Sequence, residues 1–198
     1  MATRFFVCGA MSEGMVHWSK ISEMIENKEP AQIRAKAWRL KVGYPVLTNE
    51  PDQVICGHMV ALKSSDLLVH LLDEFHGYNQ FHPERSLFLR EEAQAMTSSG
   101  FVTCWVYFLN PKKRPAGTRL IEDGDWARSL AEEPALTGKL TDRQKEYLSR
   151  LGAATGREIV PIHDMTLYRE LMNLDLIVDK GRRLALSKFG QEVVRYLG

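Results

Sequence analysis

The sequence predicts an α+β protein: a small mixed β-barrel with packed helices, followed by a C-terminal helical module. Three observations carry this expectation. Short apolar runs of strand length dominate the first 110 residues, with one amphipathic helical stretch among them. Pro111-Lys112-Lys113-Arg114-Pro115-Ala116-Gly117 then breaks regular structure. From Thr141 the apolar spacing becomes helical, interrupted by a single short hairpin.

Residues 4–8 read as a buried strand that ends at the turn-forming Gly9. Trp18, Ile21, Met24 and Ile25 recur at helical spacing and predict a helix over 16–25. Residues 36–42 alternate polar and apolar, as a half-buried strand does, and Gly43-Tyr44-Pro45 bends the chain. Residues 54–62 form another strand, with Gly57 marking a bulge or a close backbone approach. Ser64 or Ser65 caps a helix whose stripe is Leu67, Leu68, Leu71, Leu72 and Phe75, and Gly77 ends it. Strands near 86–94 and 101–109 join as a hairpin through Thr97-Ser98-Ser99-Gly100. A short helix is expected between Ile121 and Leu130. Thr141-Asp142-Arg143-Gln144 has the capping-box pattern and opens a helix through Leu151. A second helix spans 164–175, a hairpin spans 176–186, and Ser187 caps the last helix. The resulting division is a domain over 1–112, a linker with a short helix over 113–138, and a module over 139–198.

The chain has 198 residues, 44% hydrophobic and 26% charged, which suits one core plus a small satellite. A formal charge of +1 argues against strong polyanion binding by the protein as a whole. The balance is uneven: residues 1–138 carry 15 positive and 17 negative charges, and residues 139–198 carry 11 and 8. No apolar stretch approaches membrane-spanning length, and Met1-Ala2-Thr3-Arg4 leads into a run too short for a secretory signal. Three cysteines, Cys8, Cys56 and Cys104, in strand-like contexts fit reduced thiols in a cytoplasmic protein. His70, His76 and His82 are six apart, unlike a helical zinc pair, so no metal or other cofactor is expected.

Two segments carry chemistry. Cys8-Gly9-Ala10-Met11 follows the first strand, and Leu72-Asp73-Glu74-Phe75-His76-Gly77 ends the first long helix. Together they resemble the signature segments of the gamma-glutamylcyclotransferase-like superfamily, which includes the avirulence-induced-gene-like proteins. There the first segment reads Tyr-Gly-Ser/Thr-Leu and the second Leu-Asp-x-x-Glu-Gly. Gly43-Tyr44-Pro45, the strand at 54–62 and the hairpin ending Trp105-Val106-Tyr107 are also similar, so the resemblance covers the first half of the chain.

The resemblance implies a barrel whose strand-end loop grips a small gamma-glutamyl or amino-acid-derived ligand through backbone amides. Cys8, Gly9, Ala10, Met11, Gly77 and Arg85 are the implied ligand-binding residues. The family's catalytic glutamate takes a proton from the substrate's alpha-amine, which then attacks the gamma-carbonyl and releases 5-oxoproline. Here that position is His76. A neutral imidazole attracts an ammonium group far less than a carboxylate does, so ordinary cyclotransferase activity is expected to be absent or much reduced. An altered enzyme with His76 as base is the alternative, since histidine titrates near neutral pH. Asp73, three positions earlier, is placed to orient the ring. Cys8 and His76 as a thiolate–imidazole pair is a further reading, and Glu84 is a substitute carboxylate in a segment where the family has Tyr-x-Arg. Tyr44, Trp105 and Tyr107 read as core aromatics or a cavity wall.

The order helix, helix, hairpin, helix in the last third resembles a winged-helix module, notably in Leu174-Asp175-Leu176-Ile177 and Leu186-Ser187-Lys188-Phe189-Gly190. Arg169, Lys180, Arg182 and Arg183 form a basic surface that fits phosphates, whereas Asp164, Glu170 and Asp175 oppose them. A non-catalytic regulator or scaffold with a protein or nucleic-acid partner at this module is therefore the second alternative.

Overall fold

The computed structural model describes residues 3–63, 66–155 and 158–198. It divides into two compact units, Met1–Glu133 and Pro134–Gly198.

The first unit is a sheet built from strands β1 (Thr3–Val7), β2 (Ile25–Arg39), β3 (Pro45–Leu62), β4 (Phe88–Thr97), β5 (Gly100–Leu109) and β6 (Arg119–Leu120). Helix α1 (Asp66–His76) connects β3 to β4, and α2 (Trp126–Glu132) follows β6. The strand order is β3-β1-β5-β4-β2-β6, and β3 also pairs with β2, so the pairings return on themselves. Two joints are thin. β1 meets β5 in parallel at Phe5 and Trp105 alone, and β2 meets β4 at two residue pairs. The expected small barrel is thus a large, strongly curved mixed sheet and not a cleanly closed barrel.

The long β2–β3 pairing explains most of that shape. Sequence patterning located only 36–42 and 54–62, yet β2 has 15 residues and β3 has 18. Their ladder runs from Arg39↔Pro45 to Ile25↔Leu62 with two irregularities. Charged and polar residues such as Glu26, Lys28 and Asn49 hide these ends from a pattern search, because a strand's backbone pairing tolerates them on exposed positions.

Strand alternation divides the apolar side chains between two clusters. Phe6, Ile33, Ile55, Met59, Cys104, Val106 and Phe108 form one. Phe5, Val60, Leu62 and Leu72 form the other, with Trp105, Tyr107 and Phe75 packed against it. The helix expected over 16–25 is instead two 3-10 turns, Trp18–Lys20 and Ser22–Met24. Trp18, Ile21 and Met24 are spaced by three, which matches three residues per turn, and all three pack on the Phe5 cluster. The cap expected from Ser64 or Ser65 falls outside the described residues. Beyond the Pro-rich break, the chain stays bound to the first unit. β6 pairs with β2, Ile121 is buried, and Arg39 donates to the Ser129 carbonyl at 3.0 Å and to the Glu133 carbonyl.

The second unit holds α3 (Leu136–Lys139), α4 (Asp142–Ala153), α5 (Met165–Asn173), the hairpin β7 (Ile177–Asp179) and β8 (Leu184–Leu186), and α6 (Lys188–Arg195). The capping box at Thr141 and Gln144 is formed in both directions. Ser187 caps α6 by accepting from the Gly190 amide at 2.8 Å. Leu148, Leu171, Leu176, Ile177 and Val193 are fully buried together as the core of this unit.

Candidate functional site

Helix α1 ends where His76 is followed by Gly77, whose φ of 62° is the left-handed conformation that closes helices. The His76 Nδ1 lies 2.8 Å from the Leu72 carbonyl oxygen one turn back. A carbonyl only accepts, so Nδ1 carries the proton and the neutral ring keeps its lone pair on Nε2. The imidazole stacks flat on Tyr107, with centroids 3.8 Å apart and planes 3° from parallel. Phe75 and Phe88 meet it edge-on at 5.0 and 5.5 Å. Four contacts therefore fix the ring.

Beneath this stack is a charged pair with little solvent. Asp73 is 8% exposed. Its Oδ1 accepts from the Tyr107 hydroxyl at 2.7 Å, and its Oδ2 accepts from Arg90 Nη1 at 2.7 Å. Burial first, and then the Asp73 carboxylate, push the Tyr107 hydroxyl far above its ordinary range, so it stays a donor. The Arg90 guanidinium lies 5.3 Å from the Tyr78 ring centre and 5.2 Å from that of Trp105. Sequence reading gave Asp73 the task of orienting His76. Its oxygens instead hold Tyr107 and Arg90, and the Tyr107 ring and the Leu72 carbonyl orient the imidazole.

The strand-end loop forms a 3-10 turn, Gly9–Met11. Gly9 has a φ of 57°, and an added Cβ would lie 2.6 Å from Pro45 Cγ, so neither the conformation nor the space admits another residue. As the first residues of the turn, Gly9 and Ala10 present amides that have no acceptor within it. Ser12 donates to the Gly9 carbonyl and His17 to the Ala10 carbonyl, both at 2.9 Å. Met11 packs in the same cluster as Leu72 and Phe75, which brings the loop and the helix bearing His76 onto one apolar patch.

Cys8 goes the other way. It packs against the cluster of Phe6, Met59 and Cys104, while the Tyr107 that carries His76 packs on the Phe5 cluster. Burial pushes its thiol up to about 12. A protonated thiol directed to the opposite face does not make the thiolate–imidazole pair expected of it. The Arg85 side chain is 80% exposed and lies 3.7 Å from Glu84, which is itself exposed. Tyr44 is buried core, whereas Trp105 and Tyr107 border the site.

Arg90 is the residue that sequence reading missed. It sits in an alternating strand where a charged residue signals only a solvent-facing position. The signal that finds it is its cross-strand partner, Tyr107, which places it on the His76 face. Among the described residues there is no cluster of three or more His, Cys, Asp or Glu side chains able to hold a metal ion. No helix among them is long and apolar enough to cross a membrane.

A family model described as Gamma-glutamyl cyclotransferase, AIG2-like matches residues 5–128, more than half of the chain. An AIG2-like protein from Mus musculus is similar at 16% identity and a TM-score of 0.44, covering 56% of this chain and 81% of that one. YkqA from Bacillus subtilis is similar at 16% identity and a TM-score of 0.49, covering 94% and 82%. A structure described as Gamma-glutamyl cyclotransferase has 13% identity and a TM-score of 0.42, covering 87% and 99%. No curated protein matches the sequence. The match over 5–128 includes both the Gly9 turn and the His76 helix end, and the chain belongs to the Gamma-glutamyl cyclotransferase, AIG2-like family.

Proposed function

We propose that this protein binds a small gamma-glutamyl or amino-acid-derived ligand beside Gly9, Ala10, Met11, His76 and Gly77, and that ordinary cyclisation to 5-oxoproline is absent or strongly reduced. The observation that carries this reading is the fixed imidazole. With Nδ1 bound to the Leu72 carbonyl and the ring stacked on Tyr107, His76 offers a proton acceptor only at Nε2. A neutral acceptor there draws an ammonium group much less than the carboxylate that the family pattern places at this position, and its protonated form repels one. The Gly9 and Ala10 amides supply donors for a carboxylate or carbonyl oxygen without adding charge.

The test is direct. Incubating the full chain with a panel of gamma-glutamyl dipeptides is expected to release no 5-oxoproline, and His76→Glu is expected to gain turnover. Turnover by the native chain that His76→Ala abolishes would instead establish an altered enzyme with His76 as base. An inert His76→Glu variant that also fails to bind the panel would overturn the ligand reading.

A second reading concerns the C-terminal unit, where the helix, helix, hairpin, helix order supports a contact module of the winged-helix kind. Lys180, Arg182 and Arg183 are exposed at the β7–β8 turn. Two of the three acids that oppose phosphate binding are engaged within the unit: Asp164 caps α5 and pairs with Arg143, and Glu170 accepts from Gln144 at 3.0 Å. This leaves a regulator acting on a protein or nucleic-acid partner in a cytoplasmic setting. DNA binding by the full chain that weakens with salt and is lost in Arg182→Glu would support it.

A further inference from the structure

On the first unit, a cleft of about 410 Å³ lies between the loop after α1, the start of β4 and the residues that follow β5. Its charge is balanced. Arg90 and Lys112 bring two cations, and Glu84 and Glu91 bring two carboxylates, with Tyr78 and Leu89 supplying apolar wall. The volume lies at the small end of the range for ligand sites, roughly 300–1,000 Å³, and suits an amino acid or a dipeptide. A phosphate or a dicarboxylate would meet two acids as well as two bases. A simple cation would meet the reverse.

The groups are also only partly committed. Arg90 uses Nη1 on Asp73, and its Nε is buried without a hydrogen-bond partner. Glu84 touches His82 at 3.8 Å and Arg85 at 3.7 Å, long contacts between exposed side chains that hold it weakly. Glu91 accepts one bond, from Asn49 Nδ2 at 2.6 Å. Lys112 is exposed, and its backbone is fixed by the Asn110 side chain, which accepts from the Lys112 amide at 3.1 Å.

We propose that this cleft is a binding site for a small zwitterion, a free amino acid or short peptide, whose carboxylate meets Arg90 and Lys112 and whose ammonium meets Glu84 and Glu91. The proposal does not rest on the reading of the Gly9–His76 pocket, because none of Gly9, Ala10, Met11, His76 and Gly77 lines the cleft; Arg90 alone borders both. It does connect to it. Arg90 is joined through Asp73 and the Tyr107 hydroxyl to the ring on which His76 stacks, so an occupied cleft pulls on one end of the chain that holds the imidazole.

The test is amide and imidazole NMR on the full chain, with glycylglycine, L-leucine and L-lysine as probes and acetate and methylammonium as single-charge controls. The zwitterions are expected to produce saturable shifts at Arg90, Glu91 and Lys112, with a smaller shift at the His76 ring. The controls are expected to need about tenfold higher concentration, a loss of about 1.4 kcal/mol. Lys112→Glu and Glu84→Lys, both at exposed positions, are each expected to weaken zwitterion binding by about tenfold as well. Absence of saturable shifts, equal response to acetate alone, or unchanged binding in both variants would overturn the cleft. Shifts confined to Gly9, Ala10 and His76 and insensitive to Lys112→Glu would overturn it while leaving the proposed ligand pocket standing.

Discussion

At residue scale, the distinctive feature is how many contacts a single imidazole has. His76 is held by a carbonyl, a stacked phenol ring and two edge-on aromatics. Tyr107 is central to that arrangement, since its hydroxyl serves Asp73 while its ring serves His76. Tyr107→Phe keeps the ring but removes one donor from a buried carboxylate. It is expected to cost about 1.5–3 kcal/mol in a urea titration, because hydrogen bonds to charged groups are worth about that much. The cysteines differ in a way that alkylation reads. Cys56 is exposed, whereas burial pushes Cys8 up to about 12 and Cys104 up to about 11. Iodoacetamide is expected to modify Cys56 fastest in the native protein, to modify the half-buried, high-pKa Cys8 slowly, and to reach Cys104 only after unfolding. Rapid native modification of Cys8 would contradict the burial that removes it from the site chemistry.

At the scale of elements, local rules and long-range pairing contributed unequally. Helix starts followed their capping residues closely: Thr141, Asp164 and Ser187 each accept from the first-turn amides of the helix that follows. Asp164 also carries a pH dependence. Its acceptance from the Leu167 amide above all, with the Thr166 amide and Arg143 adding to it, lowers its carboxyl below the ordinary aspartate value. A lowered folded value means that its contribution is complete above the unfolded value and is lost as pH falls through the folded one. Asp164→Asn is therefore expected to lower stability mainly at neutral pH, where the carboxylate's contribution is complete, and to converge with the native protein as pH falls below about 4, where the aspartate titrates, so that the acid limb is flattened. Gly190 has a different kind of constraint. A Cβ there would sit 1.9 Å from the Leu176 carbonyl oxygen. Gly190→Ala is expected to cost about 1–3 kcal/mol or more as α6 is forced off the hairpin, checked by thermal unfolding and hydrogen exchange in residues 134–198.

At the scale of the molecule, the sheet of the first unit depends on one exceptional ladder. β2 and β3 pair along almost their whole lengths, while the joints β1–β5 and β2–β4 are short. The second unit carries the chain's positive excess, 11 bases against 8 acids from residue 139 onward. If its hairpin contacts nucleic acid, a full-chain affinity for duplex DNA should fall steeply between low and physiological salt, since each phosphate contact releases about one counterion. Affinity indifferent to salt would exclude that role and leave a protein contact.

The sequence by itself determined the α+β class, the family signature at Cys8–Met11 and Leu72–Gly77, and the capped helices of the last third. These are local matters: turn chemistry, capping and period all act within a few residues. Only the tertiary structure decided the length of β2 and β3, the 3-10 character of 18–24, the turning of Cys8 away from His76, and the bond from Arg90 to Asp73. Each of these depends on residues brought together from distant positions, as when strand pairing sets Arg90 opposite Tyr107. Such a partner is invisible along the chain because strand register, and not sequence spacing, chooses it.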